Sequence, residues 1–146
     1  MRISAENRFE GTVAGVQRNC VSGVVSIDVN GTPLTASITA GSVENLKLER
    51  GKQVVAVVND VDVMLARGRS LDLSARNQFR ARVLDIDTGA VNTVVKLRGL
   101  GNNIIYSTVS NRAAARLNLR EGENVLAVIK ASSVMVGLDD YDDELT

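Results

Sequence analysis

Ile3-Ser4-Ala5-Glu6-Asn7 and Leu73-Ser74-Ala75-Arg76-Asn77 are one stretch written twice, and a phenylalanine (Phe9, Phe79) follows each at the same distance. The offset of 70 holds as far as Gly31 and Gly101, becomes 71 after one inserted residue, and continues unbroken. Leu46-Lys47-Leu48-Glu49-Arg50-Gly51 aligns with Leu117-Asn118-Leu119-Arg120-Glu121-Gly122, and Val54-Val55-Ala56-Val57-Val58 with Val125-Leu126-Ala127-Val128-Ile129. Residues 3–66 therefore recur at 73–137. A repeat of this length exceeds a solenoid unit and suits a small domain. The chain reads as two copies of one module, 1–67 and 68–138, followed by an acidic tail at 139–146.

Outward from the repeat, composition narrows the chemistry. Hydrophobic residues make up 45% and aromatic residues 3%, so each core must be built from Val, Leu, Ile and Ala. Modules this small bury limited apolar surface and gain from association. Lys+Arg and Asp+Glu both number 17, which argues against a nucleic-acid binder relying on a basic surface. The few aromatics, Phe9, Phe79, Tyr106 and Tyr141, offer little for stacking bases. The chain holds no histidine, which excludes His-based zinc sites, triads and general bases. One cysteine rules out an intrachain disulfide and fits a reducing compartment. With no signal-like segment after Met1 and no apolar run of membrane-spanning length, the expected location is the cytoplasm, without membrane contact.

Within each module the segments read as strands. Val25, Ile27 and Val29 alternate with polar residues, as do Leu34, Ala36 and Ile38. Asn30-Gly31 between them signals a hairpin, whose counterpart runs longer through Gly99, Gly101, Asn102 and Asn103. Residues 53–58 and 62–65 are short and β-branched, with equivalents at 124–129 and 133–136. One short helix interrupts each module, at 42–46 and 112–117, with Thr39 and Ser110 as the expected caps. Leu46, Leu48, Leu117 and Leu119 are expected to turn inward. The fold class is all-β with one short helix per module: two tandem OB-like, five-stranded β-barrels. The segment 66–72 reads as a short polar linker.

No paired carboxylates, nucleophile or metal cluster recurs in both modules, so the chain is not expected to be an enzyme. Cys20 faces Ala90 in the repeat alignment and reads as a small buried or half-buried filler. Small donors do gather at strand ends of repeat 2: Ser74-Ala75-Arg76-Asn77, Ser110, and Lys130-Ala131-Ser132-Ser133. Hydroxyls, an amide, two cations and free backbone N–H groups converging on one point would suit a small oxyanion.

Ser74-Ala75-Arg76-Asn77, Gly89-Ala90-Val91-Asn92, Val128-Ile129-Lys130-Ala131-Ser132 and the Leu117-x-Leu119-x-x-Gly122 turn, in this order and spacing, resemble the molbindin family of Mop (TOBE-type) domains, over residues 2–138. The resemblance implies molybdate or tungstate as ligand, no separate cofactor, and metal present only as the oxyanion. It implies storage or homeostasis by a tandem di-Mop protein assembled as a homotrimer. Sites would then form between modules, where a Ser-Ala-Arg-Asn segment meets strand-end hydroxyls and a Lys-Ala-Ser segment of another. The residues implied are Ser74, Ala75, Arg76, Asn77, Ser110, Lys130, Ala131 and Ser132. Further contacts are implied at Ser4, Asn7, Thr39, Ser42, Val91 and Asn92.

Repeat 1 departs from the pattern. Glu6 replaces Arg76, Asn59-Asp60-Val61 replaces Lys130-Ala131-Ser132, and Asn19-Cys20-Val21-Ser22 replaces Gly89-Ala90-Val91-Asn92. A carboxylate about 4 Å from a dianion costs several kcal/mol even at an effective dielectric near 20. One charge-assisted hydrogen bond returns about 1.5–3 kcal/mol. Sites built from repeat 1 alone are expected to be weak or empty, although Ser4, Thr39 and Ser42 persist there. The alternative is a molbindin-like module kept for oligomerisation or protein contact after its oxyanion sites decayed.

Overall fold

A computed structural model describes residues 3–68 and 73–138. The strands are β1 (Asn7–Arg18), β2 (Ser22–Val29), β3 (Thr32–Thr39), β4 (Gln53–Val58) and β5 (Met64–Ala66) in repeat 1. Repeat 2 supplies β6 (Asn77–Thr88), β7 (Asn92–Gly99), β8 (Asn103–Ser110), β9 (Asn124–Ile129) and β10 (Met135–Gly137). Helices α1 (Ala40–Asn45) and α2 (Asn111–Leu117) follow β3 and β8, and 3-10 turns occupy Asp60–Asp62 and Ala131–Ser133. The expected tail at 139–146 and most of the linker lie outside the described residues.

Local chemistry sets these elements as the sequence implies. Asn30 and Gly31 both take positive φ, 49° and 91°, the pairing a tight two-residue hairpin needs. The Thr39 hydroxyl accepts from the Ser42 N–H and the Ser110 hydroxyl from the Ala113 N–H, each at 3.1 Å, so both expected caps form. Leu48 is buried, and Leu46 and Leu119 pack against the core. The long strands β1 and β6 each carry a register shift, between Val13 and Gly15 and between Val83 and Asp85. Such bulges let one half of the strand pair with β4 or β9 and the other half with β2 or β7, curling the sheet.

The two sheets each have five strands, but neither belongs to one repeat. Their orders are β10-β4-β1-β2-β3 and β5-β9-β6-β7-β8. Met135, Val136 and Gly137 pair with Val57, Ala56 and Val55, while Met64, Leu65 and Ala66 pair with Val128, Ala127 and Leu126. The repeats have thus exchanged their last strands. One hydrophobic cluster runs through both, with Phe9, Ile27 and Leu34 from repeat 1 and Leu97, Leu100 and Ile105 from repeat 2. The two hairpin tips also meet: Asn30 Nδ2 donates to the Gly101 carbonyl at 3.2 Å.

Two buried asparagines tie the exchange together. Asn7 donates from Nδ2 to the Tyr106 carbonyl at 2.8 Å and accepts from the Tyr106 N–H at 2.7 Å. Asn77 repeats this on Thr35, with both bonds at 2.8 Å. Each carboxamide thereby acts as one more rung on the opposite repeat's third strand.

A further clasp occurs once. Arg67 donates to the Leu117 and Asn118 carbonyls at 2.7 and 2.8 Å, satisfying acceptors at the C-terminus of α2, and to Glu123 at 2.7 Å. Lys52 and Leu138 stand at the equivalent positions, so the other helix has no such clasp. The Arg67 hydrogen bond, then its charge, holds the Glu123 carboxyl below its ordinary value. A depressed carboxyl contributes stability above its unfolded pKa and loses it as pH falls through the folded one. Wild type is therefore expected to melt above Glu123→Gln at neutral pH, with the gap closing as the solution is acidified through the lowered pKa. A gap independent of pH would exclude the ion pair as its source.

Candidate functional site

The β6–β9 ladder builds the site from the residues upward. Asn77 pairs with Ile129, so the residues just outside the ladder, Arg76 and Lys130, flank one another at the same sheet end. Ser74-Ala75-Arg76 leads into β6 and Lys130-Ala131-Ser132 leads out of β9 at that same end. Ser74, Arg76, Lys130 and Ser132 are exposed, and among the described residues neither cation makes an ion pair. Unneutralised cations and hydroxyls are the donor types an anion takes.

The remaining expected residues divide differently. Ala75 is buried against Leu126 and Val128, and Ala131 is also buried, so neither methyl group is open to a ligand. Asn7 and Asn77, expected as ligand contacts, have both ends of each carboxamide engaged by backbone of the opposite repeat. Ser110 lies beside Asn92 in the β7–β8 ladder, and Val91 precedes them in the turn, at the opposite end of β6 from Arg76. Ser110 also caps α2. In repeat 1, Thr39 pairs with Ser22 and shares a 2.8 Å hydroxyl bond with Ser42, forming the equivalent cap cluster. Ser4 occupies the position of Ser74 and is exposed. The expected residues thus form two kinds of cluster, a cationic one at the start of β6 and hydroxyl-bearing ones at the helix caps.

Ser37, absent from the expected residues, stands on the strand that the repeat 2 turn packs against. The 3-10 turn Ala131–Ser133 packs on β3, where Asn77 grips Thr35. Leu34 and Ala36 point into the core, leaving Ser37 on the other face. Among the described residues its hydroxyl has no partner. No local signal marked it: its equivalence to Thr108 matters only through the bond that Thr108 makes across the repeats.

Cys20 is exposed in the turn between β1 and β2, a correction to its expected burial: the turn lies beyond the barrel wall. A concavity of about 400 Å³ is lined by Arg8, Glu10, Asn30, Val55 and Asn103, and one of about 760 Å³ lies along α1. Neither includes a residue of the cationic cluster. Its four polar side chains are exposed, so in a single chain that cluster is a surface rather than an enclosed pocket. No group of three or more His, Cys, Asp or Glu among the described residues is placed to hold a metal ion. No helix among them is long and apolar enough to cross a membrane.

The TOBE domain model matches twice, at residues 3–65 and 73–136. The chain is 37% identical over 139 residues to the molybdenum transport protein ModE of Azotobacter vinelandii, covering 94% of this chain and 52% of that protein. It thus spans about half the length of that relative. A probable molybdenum-pterin-binding protein of Haemophilus influenzae is 45% identical over 69 residues, which is 47% of this chain and all of the relative. Among solved structures, the cytoplasmic molybdate-binding protein ModG with molybdate bound superposes with a TM-score of 0.90 at 42% identity. That match covers 95% of this chain and 100% of ModG.

Proposed function

The chain belongs to the TOBE-domain family, and from that membership and the site geometry we propose that it binds molybdate, or tungstate, as a cytoplasmic oxyanion store. The observation that carries this reading is the placement of Arg76 and Lys130 at one end of the β6–β9 ladder, neither with an ion pair among the described residues. The mechanism is passive. A tetrahedral dianion gives up water and receives charge-assisted bonds from the two cations, with hydroxyl and backbone donors around them. No residue in the set is poised to transform the ligand, so the protein acts by binding and not as an enzyme.

The site requires walls that one chain does not supply. The cap clusters at Ser110–Asn92 and Thr39–Ser42 offer hydroxyls at an edge, and a second copy can carry them to the cationic cluster. Exposed apolar residues recur at matched positions in the two repeats: Val21 (79%) with Val91 (73%), Ile3 with Leu73, and Met64 with Met135. Such repeated exposure fits surfaces covered in an assembly. We assign the assembly as a homotrimer of two-module chains, stabilised by its ligand through mass action. The balanced charge supports a small anion, and not nucleic acid, as the partner.

The test is equilibrium binding of molybdate, with tungstate and sulfate as competitors, on samples whose mass is followed by light scattering. Saturable binding that withstands excess sulfate is expected. Arg76→Ala and Lys130→Ala should each weaken it by about tenfold or more, the equivalent of one charge-assisted bond. An intact assembly that binds no molybdate would overturn the reading and favour the decayed, structural module.

A further inference from the structure

The two ends of the molecule at which a 3-10 turn meets the other repeat are related by the internal repeat, yet they are bonded differently. At the repeat 1 end, Thr108 Oγ1 donates to Asp60 Oδ2 at 2.5 Å, Ser107 Oγ donates to the Val63 carbonyl at 2.5 Å, and Asn7 grips Tyr106. At the repeat 2 end the equivalents of Thr108, Asp60 and Ser107 are Ser37, Ala131 and Ala36. There Asn77 grips Thr35, and among the described residues the Ser37 hydroxyl has no partner. One end is closed by its own side chains. Among the described residues, the other leaves a hydroxyl and two cations without a partner.

We propose that the Asp60 carboxylate is a tethered stand-in for the oxyanion. It supplies at the repeat 1 end, permanently and within the chain, the negative oxygen that a bound oxyanion supplies at the repeat 2 end. This rests on the oxyanion-binding reading of the Arg76–Lys130 cluster. Asp60 occupies the chain position of Ala131, which carries no acceptor side chain, and its carboxylate accepts a hydrogen bond from the hydroxyl equivalent to Ser37. Glu6, at the position of Arg76, adds a second negative charge that a free dianion would have to face. The repeat 1 end therefore holds β8 in place without ligand and refuses anions, while the repeat 2 end answers to anion concentration. Asp60 is in this sense a residue that sets which end is selective.

The experiment uses the full chain in four forms: wild type, Asp60→Asn, Thr108→Val, and the combined Glu6→Arg, Asn59→Lys, Asp60→Ala. Each is titrated with molybdate by equilibrium dialysis, melted with and without molybdate, and weighed by light scattering. The combined variant is expected to bind roughly twice the anion per chain, because both ends then carry the same two cations, a serine (Ser4 or Ser74) and a free hydroxyl on the opposite repeat's third strand. Asp60→Asn and Thr108→Val should each lower the ligand-free Tm by roughly 4 °C, the loss of one charge-assisted bond. Asp60→Asn should in addition show a larger molybdate-induced rise in Tm than wild type, and Thr108→Val should not. If wild type binds and a folded combined variant binds no more, the stand-in is wrong and the oxyanion reading survives. If wild type binds nothing, that reading fails, and the combined variant alone decides: new binding supports the stand-in, and none overturns it. Should the combined variant not fold, an Asp60→Asn protein with an unchanged ligand-free melt and no larger molybdate response overturns it.

Discussion

Residues 1–68 produced alone are expected to yield no folded monomer. In the whole chain β4 receives β10 along Val55–Val57, and β5 lies on β9 in the other sheet. Cutting the linker leaves β4 with an open edge and β5 with no ladder. It also strips Asn7 of Tyr106 and opens a core that Leu97, Leu100, Ile105 and Val134 help to fill. A module of this size buries too little apolar surface to absorb those losses. Its low-energy solution is a second copy of itself, each giving its β5 to the other. Sedimentation should therefore find a dimer whose melt rises with concentration, or an unfolded and aggregating chain, since an open edge recruits strands indiscriminately. A compact monomer with a concentration-independent melt would show that the exchanged strand contributes little to stability.

The same exchange marks the limit of what could be read from the chain alone. Period-2 alternation, Asn30-Gly31 and the caps Thr39 and Ser110 act over a few residues, so their signals are local and they appear where expected. The destination of β5 is different. Met64-Leu65-Ala66 has the same pattern whether it closes its own sheet or its neighbour's, because both offer the same Val-rich edge. A repeated sequence presents two equivalent partners, and only the short path out of the 3-10 turn chooses between them. Each sheet has the expected five strands with a different owner for the fifth.

The site divides along similar lines. The charge asymmetry between Glu6 and Arg76, and between Asp60 and Ala131, was legible because it rests on residue type alone. Asn7 and Asn77, expected as ligand contacts, also bond the opposite repeat's backbone, and a signal of that structural role was present. Repeat 1 lost Arg76, Lys130 and Ser132 yet kept the asparagine, and a residue that persists where the ligand set has gone points to the fold. Ala5 and Ala75, both buried, persist in the same way. The Asp60–Thr108 bond joins residues 48 apart from different repeats, so no local pattern announces it.

Asn7→Ala is expected to be among the most damaging single substitutions in the chain, and for a reason unrelated to any ligand. Asn7 is 0% exposed, and both its amide atoms bond Tyr106 backbone. Truncation leaves a buried N–H and a buried carbonyl without partners, each at about 1–3 kcal/mol, for a total of about 2–6 kcal/mol. In a chain this size that corresponds to a fall in Tm of roughly 4–20 °C. Asn7→Asp should not rescue it: the carboxylate still accepts from the Tyr106 N–H, but its second oxygen then faces the Tyr106 carbonyl, placing two acceptors together in a buried site. Asn77→Ala breaks the matching bonds to Thr35 from a position that is 6% exposed, so its cost should be somewhat smaller. Because both asparagines hold one exchanged assembly, the double variant should depart from additivity. Denaturant midpoints and molybdate titrations on the three variants separate the two roles. Large losses of stability, with binding retained in whatever fraction stays folded, are the expected result. An Asn77→Ala protein as stable as wild type but unable to bind molybdate would return that residue to the ligand set.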